Sequence, residues 1–218
     1  VAQPVPLGSR DRPLRDQVCE EIRNRIIDGR FAPGDRIVER ELAAELAVSR
    51  VPVREALRTL RVEGFVEDVA RRGVIVRRLE RRDVEELFDV REALESLACR
   101  LAASKADARS LRALQRHLAR ADKALQGEDL HAVGKANGDF HDEIVRLADH
   151  HLLAGMLDPL QGRLHWLFRQ VDDPEELCLE HTNLYEAIAS GDPDRAADEA
   201  IRHIHHNRDT ALRLLFGA

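Results

Sequence analysis

The sequence predicts a mostly α protein in two parts, an N-terminal winged helix-turn-helix and a C-terminal all-α antiparallel helical bundle. Three observations carry this: helical periodicity recurs from residue 14 to about 215, β-branched runs are confined to residues 65–78, and charge is divided unevenly along the chain. Of 218 residues, 44% are hydrophobic and 34% charged, the balance of a globular protein with a sizeable core. No apolar stretch approaches the roughly 18 residues that span a bilayer. A membrane partner is therefore not expected, and without the basic-then-apolar order of a secretory signal at its start the chain is expected in the cytoplasm.

The first element is an expected flexible arm over 1–13, rich in proline. Residues 14–79 are expected to form the winged helix-turn-helix. Leu14, Val18, Ile22 and Ile26 recur every four residues and give a first helix that Gly29 closes as a C-terminal cap. After the Pro33-Gly34 turn, Arg40 to Leu46 and Arg50 to Val62 read as two short helices joined by Ala47, Val48 and Ser49. Ser49 can cap the second, and Pro52 falls in its first turn, where backbone N–H groups lack intrahelical partners. Phe65 to Val69 and Val74 to Arg78 read as a small hairpin turning at Arg71, Arg72 and Gly73.

Residues 80–218 are expected to be the bundle. Leu87, Val90, Leu94, Leu97 and Leu101 give a long amphipathic helix, and five more are predicted at about 107–126, 128–149, 151–170, 174–190 and 193–215. Six helices in this length make an antiparallel bundle. Cys19, Cys99 and Cys178 form no CxxC pair and read as small buried hydrophobes rather than a disulfide framework or a thiolate zinc site.

The net charge of −6 looks unsuited to nucleic acid until it is divided by position. Residues 1–80 carry +2 and residues 81–218 carry −8, while residues 50–78 alone hold eight Arg against four acids. Arg50, Arg54, Arg58 and Arg61 recur at helical spacing opposite Val53, Leu57 and Leu60. Such a helix can enter a major groove, its guanidinium groups reaching guanine edges or phosphates, while Arg71 and Arg72 reach the backbone or minor groove from the hairpin tip. The alternative is a solvated helix with local Arg–Glu pairs such as Arg54 with Glu55 and Arg58 with Glu63.

The residues themselves carry a resemblance: Gly29-x-Phe31-x-Pro33-Gly34-Asp35, then Glu41-Leu42-Ala43-Ala44, then Val48-Ser49-Arg50-Val51-Pro52-Val53-Arg54-Glu55-Ala56-Leu57, and Glu63-Gly64-Phe65. Residues 14–79 resemble the DNA-binding domain of GntR-family transcriptional regulators. The resemblance implies DNA contacts at Arg40, Ser49, Arg50, Arg54, Arg72 and Gly73. One departure is Ala47, where the family commonly has Gly; alanine tolerates a left-handed backbone less well, so a slight loss of stability is expected.

All ten histidines lie at or after His117. Asn137 and His141 share a helical face with Val133, Phe140, Ile144 and Leu147, so these polar groups point inward, where they need partners. His181 lies among Leu177, Leu184 and Ile188, and His203 near Ala200, Ile204 and Asn207. Three inward imidazoles and an amide from three helices can converge on a divalent metal; each alone reads equally as a satisfied core histidine. His165, Trp166 and Arg169 lie on a helix that could also face the cavity, whereas His150, His151, His205 and His206 read as helix ends or solvent-facing residues.

Residues 83–215 are similar to an FCD-type effector domain, named for the fatty-acid-metabolism repressor (FadR) subgroup, through Arg91-Glu92-Ala93-Leu94-Glu95, Phe140-His141-x-x-Ile144, Glu180-His181 and His203. Six helices place it with the vanillate-regulator-like (VanR-like) variant. The resemblance implies a zinc or nickel site at Asn137, His141, His181 and His203, with neutral Asn137 where the family usually has Asp, and a small organic-acid effector. Arg91 is the candidate to clamp the effector's carboxylate, its alternative being a surface salt bridge with Glu95 or Glu92. The expected protein is a homodimeric transcriptional repressor on double-stranded operator DNA. Its competitors are a metal-dependent enzyme using His141, His181 and His203, and a regulator whose metal is purely structural. No HExxH, nucleophile motif or obvious carboxylate base supports the enzyme, and Asp139, the nearest acid, falls on another helical face from His141.

Overall fold

The computed structural model describes residues 12–168 and 174–217. The arm expected over 1–13 lies almost wholly outside them, as do Arg169 and the side chains of His165 and Leu177. Two compact units divide at Leu79 and Glu80.

In the first unit, α1 (Leu14–Ile27) buries Val18, Ile22 and Ile26, while Leu14 stays at the surface. Gly29, at φ +72°, ends it in the left-handed conformation that glycine adopts at no steric cost. α2 (Glu39–Glu45) and α3 (Arg50–Val62) follow, then β2 (Val66–Val69) and β3 (Gly73–Val76). The sequence reading missed one strand, β1 (Arg36–Ile37), which pairs antiparallel with β3 and makes a three-stranded sheet of order β1-β3-β2. Two residues are too few to show alternation, so β1 left no pattern to read.

Ala47 links α2 to α3 at φ +53°, the left-handed conformation that glycine would take more easily. Ser49 occupies the N-cap position of α3 in extended geometry, but its side chain makes no capping hydrogen bond. On α3, Val53, Leu57 and Leu60 are fully buried and Arg50, Arg54 and Arg58 face outward. The α3 core face is thus the one the periodicity indicated.

The second unit contains, among the described residues, α4 (Arg81–Lys105), α5 (Ala108–Gln126), α6 (Leu130–Ala148), α7 (His151–Phe168), α8 (Pro174–Ala189) and α9 (Pro193–Phe216). Several helix starts are fixed by aspartates: Asp107 accepts from the Arg109 and Ser110 N–H groups, Asp129 from Ala132, and Asp192 from Asp194 and Arg195. His150 Nδ1 accepts from the Leu153 N–H at 3.2 Å at the start of α7.

α4 is the central helix, packed against α6, α7, α8 and α9. Its buried face corrects the sequence reading. Val90 and Leu97, expected inside, are 48% and 39% exposed, whereas Phe88, Arg91, Glu95, Ala98, Cys99 and Ala102 are buried. Periodicity counted leucines and discounted an Arg–Glu pair that neutralises itself in the interior. Around α4, the core gathers Leu114, Phe140, Ile144, Leu153, Leu157, Leu184 and Ile188. All three cysteines are free and buried.

Candidate nucleic-acid interface and metal centre

In the first unit, α2, the turn into α3, α3 and the β2–β3 hairpin hold the expected contact residues at the surface: Arg40, Ser49, Arg50, Arg54, Arg72 and Gly73 are all exposed. Arg71 (φ +66°) and Gly73 (φ +79°) tighten the hairpin tip. The arginines of α3 do not act alike. Arg54 and Arg50 both turn to Glu39 at the start of α2, with Arg54 Nη2 3.1 Å and Arg50 Nη2 3.5 Å from Glu39 Oε2. Arg61 instead reaches Asp68 on β2 at 2.7 Å. The local pairs anticipated from sequence do not form as supposed, since Glu63 takes Arg23 of α1 at 2.7 Å. The hydrogen bond from Arg54 holds the Glu39 carboxyl below its ordinary pKa, so Glu39 stays charged between the two guanidinium groups.

In the second unit, His141 of α6, His181 of α8 and His203 of α9 come together. One nitrogen from each ring falls within 4.8 Å of the others. His181 and His203 are 1% and 2% exposed. The Nε2 atoms of His141 and His181 face each other at 3.0 Å. Two imidazoles sharing one ion at about 2.0–2.1 Å would hold their nitrogens roughly 3.0–3.3 Å apart, so this pair fits a shared cation.

The opposite edge of each ring is held by an oxygen. His141 Nδ1 lies 3.4 Å from Glu95 Oε2, His181 Nδ1 lies 3.2 Å from Asn137 Oδ1, and His203 Nδ1 lies 3.0 Å from Glu180 Oε2. At His181 an acceptor at Nδ1 favours the proton there and a bare Nε2, the tautomer that binds metal, whereas His203 also meets Asn207 Nδ2, 3.1 Å from its Nδ1 and 3.3 Å from its Nε2. Burial, reinforced by His141, His203 and Arg91, drives the His181 pKa well below its ordinary value, so that ring is neutral at physiological pH. Three imidazole nitrogens from three helices suit zinc, nickel or a similar divalent ion.

Residues 14–76 match bacterial regulatory proteins of the gntR family, and residues 86–206 match the FCD domain. The chain belongs to the GntR family. Over 197 residues it is 32% identical to the Nta operon transcriptional regulator of Aminobacter aminovorans, covering 86% of this chain and 90% of that one. It is 30% identical over 200 residues to the probable D-xylose utilization operon transcriptional repressor of Paenarthrobacter nicotinovorans, with 88% of each chain covered. Among solved structures, a GntR transcriptional regulator from Rhodococcus sp. RHA1 matches with TM-score 0.77 at 26% identity, covering 91% of this chain and 97% of that one. This GntR protein is a DNA-binding transcriptional regulator, not an enzyme.

Arg91 of this GntR chain is not the surface residue that its salt-bridge alternative supposed. It is 2% exposed, its Nε donates to Glu95 Oε1 at 2.5 Å, and its guanidinium lies 5.5 Å from the Phe88 ring centre. Glu92 pairs with His205 instead, at 2.6 Å. Through Glu95, Arg91 is the outer end of a chain that reaches His141. Trp166 is buried, and a surface cleft of about 620 Å³ between α5 and α6, lined by Lys105, Arg109, Arg116 and His117 among others, includes none of the three histidines.

Sequence reasoning missed Glu39 and named Glu95, Glu180 and Asn207 without giving them a role at the histidines, where the structure holds two carboxylates. Asn207 Nδ2 donates to Glu180 Oε2 at 3.1 Å and steadies it. The signal was partly present, because Glu180 adjoins His181 in sequence yet serves His203, which only helix packing reveals.

Proposed function

We propose that the protein is a ligand-responsive, homodimeric repressor. Residues 14–79 read a pseudo-palindromic operator through Arg40, Ser49, Arg50, Arg54, Arg72 and Gly73, and residues 80–218 bind a small organic acid beside a divalent metal, zinc or nickel. Two reading heads are needed because one supplies too few base contacts for useful specificity.

One observation carries the metal part of the reading: three imidazoles from three helices bring one nitrogen each within 4.8 Å of the others, and their Nδ1 atoms lie beside Glu95, Asn137 and Glu180. His141, His181 and His203 would hold the ion. When bound, it would supply a Lewis-acidic anchor for a carboxylate. Glu95 and Glu180 would orient His141 and His203 from beside their Nδ1 atoms, and Arg91 pairs with Glu95. A ligand there changes operator affinity only insofar as it binds the DNA-competent and DNA-incompetent arrangements unequally.

The test is a gel-shift titration against the protein's own upstream DNA at rising salt, with and without chelator, beside metal analysis of wild type, His141→Ala and His181→Ala. Specific binding that weakens with salt, and metal content lost in both variants, are expected. Unchanged metal in both variants would retire the ligand assignment, and absence of specific binding at every salt concentration would retire the regulator reading. If chelator removes metal and melts the bundle, but organic acids never alter DNA binding, the metal is structural.

A further inference from the structure

We infer that the cleft between α5 and α6, apart from the metal centre, is a second ligand site, and that its ligand is a small dianion, inorganic phosphate or a phosphate monoester. Arg109, Arg116 and His117 grip it. The inference is independent of the metal reading above, because the cleft includes none of the three clustered histidines.

The charge balance of α5 carries it first. Residues 81–218 hold a net charge of −8, yet this helix gathers cations on one side. Arg109, Arg112, Arg116, Arg120 and Lys123 follow one another at intervals of three or four residues, so they share one helical face, and all five are exposed. Arg109 and Arg116, two turns apart, border the cleft of about 620 Å³. The acids of the cleft are already engaged. Asp107 accepts from the N–H groups of Arg109 and Ser110 as the helix cap, Glu143 takes Arg146 Nε at 2.7 Å, and Asp149 Oδ2 lies 3.9 Å from Lys105 Nζ. Among the described residues, no acid forms an ion pair with Arg109 or Arg116.

Glu143 reports the sign of the field between the two helices. Hydrogen bonds from Arg146 hold its carboxyl below the ordinary pKa despite burial, and the charges of Arg146, His117 and Arg116 add to that pull. Negative charge is therefore favoured there. His117 adds a second, separate observation: its Nδ1 is buried and meets no hydrogen-bond partner among the described residues. An unpaired buried polar atom is destabilising, and a ligand oxygen accepting from an Nδ1 proton relieves it. Each planar guanidinium can meet two oxygens of a tetrahedral oxyanion at once, so two of them with an imidazole N–H suit a phosphate's many acceptors. A neighbouring hollow of about 520 Å³ along α5 shares Arg109 and Arg116 with the cleft and has room for the organic part of an ester. A nucleic-acid backbone would use the whole cationic stripe; His117 and the wall formed by α6 favour a compact ligand.

The experiment titrates full-length protein with inorganic phosphate at physiological ionic strength, by calorimetry and by nuclear magnetic resonance of the histidine ring nitrogens. Saturable binding is expected, with the His117 signals shifting and those of His141, His181 and His203 unmoved. Arg109→Gln combined with Arg116→Gln is expected to weaken phosphate about 10-fold or more. Arg120→Gln combined with Lys123→Gln, the same charge loss on the same face beyond the cleft, is expected to weaken it less than about 2-fold, because screened charges at that distance act feebly. All four side chains are exposed, so folding is retained. Arg54→Ala, in the first unit, is expected to keep wild-type phosphate affinity. The inference is overturned by the absence of saturable binding, by shifts at His141, His181 or His203 in place of His117, or by loss of binding in Arg54→Ala. Equal weakening in the two double variants also overturns it, assigning the stripe to an extended polyanion such as a nucleic-acid backbone.

Discussion

Glu39 of α2 grips Arg54 of α3, with Nη2 to Oε2 at 3.1 Å and Nε to both carboxylate oxygens at 3.3 Å. The same carboxylate reaches Arg50 one helical turn earlier. An acidic side chain placed against two arginines proposed to touch DNA has two opposed effects. It holds the guanidinium groups in place, and it repels phosphate. For Glu39→Gln, binding to random DNA is expected to strengthen several-fold at low salt, while the margin between operator and random DNA narrows. Fluorescence anisotropy on both duplexes measures this; an unchanged margin would show that Glu39 positions nothing.

Arg54→Ala should cost about 5- to 150-fold in operator affinity if the side chain reads a base, with folding little affected because it is half exposed. The check is a pair of titrations. Equal losses on operator and random DNA would assign Arg54 to phosphate.

Ala47 pays for a left-handed backbone at φ +53°. Glycine would remove a penalty of roughly 1–2 kcal/mol but adds roughly 0.5–1 kcal/mol of unfolded-chain entropy, so Ala47→Gly should stabilise the first unit by about 0.5–1 kcal/mol. Urea melts followed by a probe in that unit would register the gain. A destabilised variant would mean that the turn relies on the alanine methyl.

Arg91→Ala should destabilise the second unit by about 3–5 kcal/mol, because Glu95 would be left charged and buried. Arg91→Met combined with Glu95→Leu should recover much of that loss, since a matched apolar pair leaves no uncompensated charge. Calorimetric melts of the three proteins decide it, and a double variant as unstable as the single one would point to a role for Glu95 beyond pairing.

The cysteines should resist thiol reagents in the native state. Burial pushes the Cys19 thiol up to about 11 and raises Cys99 and Cys178 as well, so none is a thiolate at neutral pH. Reaction with a disulfide reagent at pH 8 should be negligible until denaturant is added, when all three of the chain's cysteines react. Rapid labelling of the native protein would place one of them at the surface.

The winged helix-turn-helix was legible because its signals are local. Val53, Leu57 and Leu60 announce the buried side of α3 by spacing, Gly29 ends α1, and Ala47 was recognisable as a strained substitute for glycine. Asn137, His141, His181 and His203 could likewise be chosen, because a polar group on an apolar helical face needs a partner. The buried face of α4 was misjudged, since that helix packs on several sides and leucine spacing cannot show that Arg91 and Glu95 neutralise one another inside.

By itself, then, the sequence determined which segments are helical, which faces carry arginine and which histidines point inward, because periodicity and side-chain polarity act within a few residues of chain. Only the tertiary structure decided that Glu39 holds Arg54, that Glu180 serves His203 rather than its neighbour His181, and that Asn137 lies on the Nδ1 edge of His181. Those pairings join separate helices, and the direction of a hydrogen bond between helices is set by how they pack.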